Sequence, residues 1–174
     1  MPSVHSDELP QNSLLIKYQQ QGAFTDCYYL DLPRTVTQTD YIEAFYTTRL
    51  FKVERALLSS LAAKPSSDLQ AAQLAKGETI EFAAWRVEDR TPNQLLLREF
   101  TGRTRSWLMT DAAAEVGSGT TRLYFGSAVV PVETSGSGQG SFGFLFHALS
   151  GFHKLYSRAL LSAAASALTR SKQG

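Results

Sequence analysis

The longest regular alternation of apolar and polar positions lies near the C-terminal end. From Phe142 to about Arg170, Phe142, Leu145, Leu149, Phe152, Tyr156, Leu160, Ala163 and Ala167 recur at spacings of three and four. At about 100° per residue these positions form one stripe, with His147, Lys154 and Arg158 opposite, which is the period of an amphipathic helix. Arg170 and Lys172 suit the negative end of its dipole. A helix of ~28 residues is ~42 Å long, so it requires an extended apolar partner.

The preceding chain supplies that partner as strands. Phe24–Leu32 reads as a first strand, stopped by Pro33. Thr37 or Thr39 can cap a helix with Asp40 and Glu43 in its first turn, and Ile42, Phe45, Tyr46, Leu50, Val53, Leu57 and Leu61 carry helical spacing to Pro65. Ser67-Asp68-Leu69-Gln70 is a capping-box pattern that opens a second, shorter helix ending at Gly77. The period then becomes strand-like over Thr79–Glu88, Gln94–Thr101, Arg103–Thr110 and Thr120–Val132, with turns at Asp89–Asn93, Gly102 and Gly117–Gly119. Consecutive hairpins with a separate helical layer predict an α+β fold rather than a parallel α/β one. Residues 1–21, with one short apolar patch at Leu14-Leu15-Ile16, are expected to form a flexible N-terminal tail, and 22–174 a single domain. Glu133–Ser141, rich in Gly and Ser, reads as a flexible lead into the last helix.

Composition narrows the function classes. A net charge of +1 over 174 residues argues against general nucleic-acid binding. The one cysteine, Cys27, excludes an internal disulfide, and its apolar, aromatic neighbourhood reads as core. His5, His147 and His153 have no metal-ligand spacing, so neither a metal nor a cofactor is expected. No window approaches the ~20 apolar residues of a membrane span, and the polar start at Met1–Asn12 lacks a signal-peptide pattern. A cytoplasmic protein without stable membrane insertion is the expectation.

Several residues stand out chemically. With hairpin turns at Asp89–Asn93 and Gly102-Arg103, Phe82, Ala84, Arg98, Phe100, Arg105, Trp107 and Met109 fall on one sheet face, and Trp85, Leu97, Glu99 and Leu108 on the other. The first set mixes aromatic area with guanidinium groups, which suits an amphipathic ligand carrying a carboxylate. The alternative is a sheet exterior where Arg86, Arg98 and Arg105 pair with Glu81, Glu88 or Glu99. His153, at the edge of the helical stripe, can serve as acid, base or donor, or as an ordinary core-edge residue. Gly138-Gln139-Gly140-Ser141-Phe142-Gly143 matches a dinucleotide fingerprint, but no strand follows the helix to complete the required βαβ unit. A hinge or lid fits it better.

The order of strand, two helices, antiparallel hairpins and long terminal helix resembles the START-like (SRPBCC, helix-grip) superfamily, which includes polyketide cyclase-like and pollen-allergen-like lipid-binding proteins. Arg103-Thr104-Arg105-Ser106-Trp107 and Phe152-His153-Lys154-Leu155-Tyr156-Ser157-Arg158 are similar to an uncharacterised bacterial branch of it. The resemblance spans about residues 22–170. It implies a bent antiparallel sheet gripping the C-terminal helix and a cavity between them for a hydrophobic or amphipathic small molecule. Five strands are clear where that fold has six or seven, which leaves one to be sought in Asp111–Gly117 or in the tail. On this reading the ligand-binding residues are Phe82, Arg98, Phe100, Trp107, Tyr124, His153 and Tyr156. Two other classes compete: a cyclase- or hydratase-type enzyme with His153 or Asp111 as acid/base, and a protein-interaction module whose cavity is filled.

Overall fold

The computed structural model describes residues 2–53, 66–113, 119–130 and 142–170, with side chains of the last segment described from Lys154 onward. Among the described residues, seven antiparallel strands form one open sheet. In chain order the elements are β1 (His5–Ser6), α1 (Ile16–Gln20), β2 (Phe24–Leu32), α2 (Gln38–Tyr46), α3 (Asp68–Lys76), β3 (Glu81–Phe82), β4 (Trp85–Thr91), β5 (Gln94–Glu99), β6 (Thr104–Ala112), β7 (Thr121–Val129) and α4 (Phe142–Arg170). The sheet order is β1-β2-β7-β6-β5-β4-β3. The α+β class and the long terminal helix therefore stand as expected.

Local chemistry moves several boundaries. Thr37 caps α2, its Oγ1 accepting from the Asp40 amide at 3.1 Å. The helix then breaks at Thr47-Thr48, because two threonine hydroxyls compete with the ladder; the rest of the run expected to reach Pro65, residues 54–65, lies outside the described residues. Thr47 donates to the Glu43 carbonyl at 2.7 Å, and Thr48 Oγ1 accepts from the Phe51 amide at 3.2 Å. Helical backbone resumes over 49–53. Ser67 and Gln70 form the expected capping box of α3, and Gly77 ends it at φ +80°.

The strand expected over Thr79–Glu88 is instead two strands. The chain reverses at Ala83-Ala84, with Ala83 at φ +52°, so Phe82 pairs with Trp85. A bulge between Val87 and Asp89 shifts the register once more. Phe82 therefore does not share a face with Arg98 as the uninterrupted strand required, whereas Arg98, Arg105, Trp107 and Met109 do lie together.

Each face of the sheet carries its own core. On one face α4 lies against β2 and β7, α2 against β6 and α4, and α3 against α2 and β3. There Leu30, Leu95, Leu97, Leu108 and Leu123 meet Tyr41, Ile42, Phe45 and Leu74, along with Leu160, Leu161, Ala164 and Leu168 of α4. The buried stripe of α4 runs through Ser157, Leu160, Leu161, Ala164 and Leu168, whereas Tyr156, Ala163 and Ala167, on the stripe drawn from periodicity, are only half-buried. Runs of Ala and Ser mark a helix face weakly, which is why the stripe was misplaced by about one position.

The opposite face is covered by the N-terminal segment that reads as a flexible tail. Leu9, Leu15 and Tyr18 are buried there with Cys27, Leu96, Trp107, Met109, Tyr124 and Ala128. His5 and Ser6, within the segment expected to be a tail, add an edge strand paired with β2. Cys27 is core, and burial pushes its thiol up to about 12, with nearby Asp7 and Asp26 adding to the effect. Gly126, opposite both Cys27 and Trp107, admits this layer. A Cβ there would sit 2.8 Å from the Asp26 carbonyl oxygen, 2.9 Å from the Trp107 ring and 3.1 Å from Leu15. Because a backbone atom cannot yield as a side chain can, Gly126→Ala is expected to cost about 1–3 kcal/mol in urea unfolding. A loss near zero would show that Leu15 and Trp107 are not held against the strand.

Candidate functional site

The residues expected to bind ligand divide between the two faces. Phe82 is buried in the helix-side core, and Tyr156 is half-buried against it. Trp107 and Tyr124 lie on the other face, beneath the N-terminal segment. Arg98 shares that outer face but is exposed, and Phe100, in the turn after β5, is 61 % exposed. The side chain of His153 and positions 138–141 of the glycine-rich motif lie outside the described residues. Asp111, the other acid/base candidate, follows Trp107 and Met109 in alternation and projects from the outer face, away from α4. One sheet–helix cavity therefore cannot hold this set, because strand neighbours two apart share a face and sheet faces do not mix.

Trp107 is committed to structure. Its indole N–H donates to Gln94 Oε1 at 2.9 Å, the same oxygen accepts from the Leu14 amide at 2.9 Å, and Gln94 Nε2 donates to the Asn12 carbonyl at 3.0 Å. Gln94 thus ties the N-terminal segment to the sheet. A charged fastener lies beside it. Arg105 Nε is 2.6 Å from Glu88 Oε2 and donates to the Tyr18 hydroxyl at 2.8 Å, while Tyr18 donates to Glu88 Oε1. Lys17 Nζ approaches Glu88 at 3.0 Å, and the Arg105 guanidinium stacks 4.7 Å from the Tyr18 ring centre. Burial raises the Glu88 carboxyl, but hydrogen bonds from Tyr18 and Lys17 and the charge of Arg105 outweigh it and hold the group below its ordinary value. Burial pushes the Tyr18 hydroxyl up, and its bond to Glu88 adds to this. This network was partly legible: Glu88 was among the acids proposed to pair with the arginines. Tyr18 carried no signal, because its helix has five residues in a polar stretch.

The helix-covered face has a different polar inventory. Its centre is filled: Tyr41, Ile42, Leu95, Leu97, Leu108, Leu123 and Leu161 expose no surface. Among the described residues, three buried polar atoms in this layer have no hydrogen-bond partner, namely Gln38 Oε1, Trp85 Nε1 and Ser157 Oγ. They come from α2, β4 and α4. Gln38 uses its other atom, Nε2, to reach the Leu108 carbonyl at 3.2 Å. Tyr41 and Tyr46, by contrast, find partners in the Tyr124 carbonyl and Ser106. Sequence reasoning missed Gln38, Trp85 and Ser157, since a lone polar residue in an amphipathic element ordinarily faces water.

A separate concavity of about 410 Å³ lies between α2 and the C-terminal end of α4, lined by Arg34, Asp40, Glu43, Thr47 and Leu168 among others. Arg34 donates into it to the Leu168 carbonyl, a cation set against the negative end of the helix. It is polar and open, and it is not the sheet–helix space. Among the described residues no group of three His, Cys, Asp or Glu side chains could hold a metal ion, and no helix is long and apolar enough to cross a membrane. No family model matches the chain, and no curated protein or solved structure is significantly similar to it.

Proposed function

We propose that the protein binds a hydrophobic or amphipathic small molecule, lipid- or polyketide-like, between the helix-covered face of the sheet and α4, as its START-like resemblance implies. The observation that carries this reading is the set of three unpartnered buried atoms, Gln38 Oε1, Trp85 Nε1 and Ser157 Oγ, in a mostly apolar layer whose Tyr41 and Tyr46 hydroxyls are satisfied. An orphaned buried polar group costs about 1–3 kcal/mol, and natural interiors hold few of them. One acceptor, one donor and one hydroxyl suit a ligand with hydroxyl or carbonyl groups on an apolar body. Phe82 and Tyr156 contribute apolar area on the same side, while Trp107 and Tyr124 act by holding the opposite layer.

Native against denaturing mass spectrometry of the protein purified from its own host tests this. The expected result is extra mass that survives native spraying and disappears on denaturation. Trp85→Phe, which keeps the area but removes the N–H, should weaken retention about three- to tenfold. A clean protein mass that takes up nothing from a host lipid extract would refute the reading. A protein-interaction module would then lead, since the filled centre of the layer favours it.

A further inference from the structure

Four side chains line up across the outer face of the sheet: Glu81 opposite Arg86, Arg86 opposite Arg98, and Arg98 opposite Arg105. Arg105 is buried and matched by Glu88. Arg86 and Arg98 are exposed, and among the described residues neither makes an ion pair or hydrogen bond, with Glu81 or anything else. Like charges directly opposite on one sheet face are unfavourable, so the rung is stable only if solvated or met by an anion. The hairpin tip that follows adds Phe100, 61 % exposed, and an exposed Arg103. Glu99, at the start of this turn, is taken up by Thr101, which donates to it from both its amide and its hydroxyl.

We propose that Arg86, Arg98, Arg103 and Phe100 form a rim that docks the protein reversibly on an anionic lipid bilayer. Guanidinium groups fork onto phosphate oxygens, and an aromatic ring beside them sits at headgroup depth. A free phosphate ion would engage the arginines but would leave Phe100 in water, and the ring is what selects the bilayer. No membrane-crossing element is needed for such contact. The proposal stands independently of ligand binding in the sheet–helix layer.

Co-sedimentation of the full chain with phosphatidylglycerol–phosphatidylcholine vesicles, against pure phosphatidylcholine vesicles, is the test. Binding should be confined to the anionic vesicles and should weaken as salt is raised. Each arginine near such a surface contributes about fivefold, so Arg86→Gln with Arg98→Gln should lower partitioning about 25-fold. Phe100→Ser should weaken the binding that survives high salt. All three side chains are exposed, and unchanged thermal melts would confirm that the variants are folded. No binding, equal binding to both vesicle types, or an unaffected double variant would overturn the proposal. Inorganic phosphate shifting the arginine resonances while vesicles bind nothing would overturn it equally, leaving only an ion site.

Discussion

Trp107→Ala is expected to lower the unfolding free energy by about 3–5 kcal/mol, the range for emptying a fully buried aromatic site. The side chain has no exposed surface; it lies against Gly126 and is clustered with Leu15 of the N-terminal segment. Its removal also strips Gln94 of one of the donors that fix the N-terminal segment. Urea unfolding with an unchanged m-value measures the loss. Because Trp107 lies on the face away from α4, retained ligand mass should change no more than the fraction folded changes. A loss below about 1 kcal/mol would mean that the N-terminal layer is not docked. Loss of ligand without loss of stability would return Trp107 to the binding site.

Arg105→Ala is the second large effect. It leaves the Glu88 carboxylate in a partly buried place with Lys17 as its one remaining ion-pair partner among the described residues. Breaking a fully buried pair costs about 3–5 kcal/mol. Glu88 keeps a fifth of its side chain exposed, so solvent screening reduces this to about 2–3 kcal/mol. Replacing both charges, Arg105→Met with Glu88→Leu, should recover much of the loss, since matched apolar groups strand no charge. The pH dependence has a definite sign. The carboxyl of folded Glu88 lies below its ordinary value of 4.5. Its contribution is therefore complete above that value and is lost as pH falls through the lower folded one. Wild-type stability should fall more steeply than that of Arg105→Ala between about pH 5 and pH 3. Parallel curves would show that Arg105 does not hold the Glu88 proton off.

Where the chain misled, the cause was a residue whose local role depends on distant contacts. Ala83-Ala84 has no turn signature, yet it reverses the chain because Phe82 and Trp85 are both drawn to the helix-side core. Thr47 and Thr48 suit a helix interior well enough until their hydroxyls find carbonyls and amides of their own turn. The candidate site suffered most. Six described candidates were legible as unusual residues, but one displaced turn moved Phe82 to the other face. The N-terminal segment then enclosed Trp107 and Tyr124.

By itself the sequence determined the α+β class, the place of the hairpins over 94–129, the capped starts of α2 and α3 and the extent of α4. Each of these follows from periodicity and capping that act within a few residues. Only the tertiary structure decided that residues 9–18 cover the outer face of the sheet, that Arg105 is buried while Arg86 and Arg98 are not, and which polar atoms remain unsatisfied among the described residues. Those outcomes depend on which surfaces exclude water together. Burial is a property of two segments far apart in the chain, and neither segment's pattern contains the other.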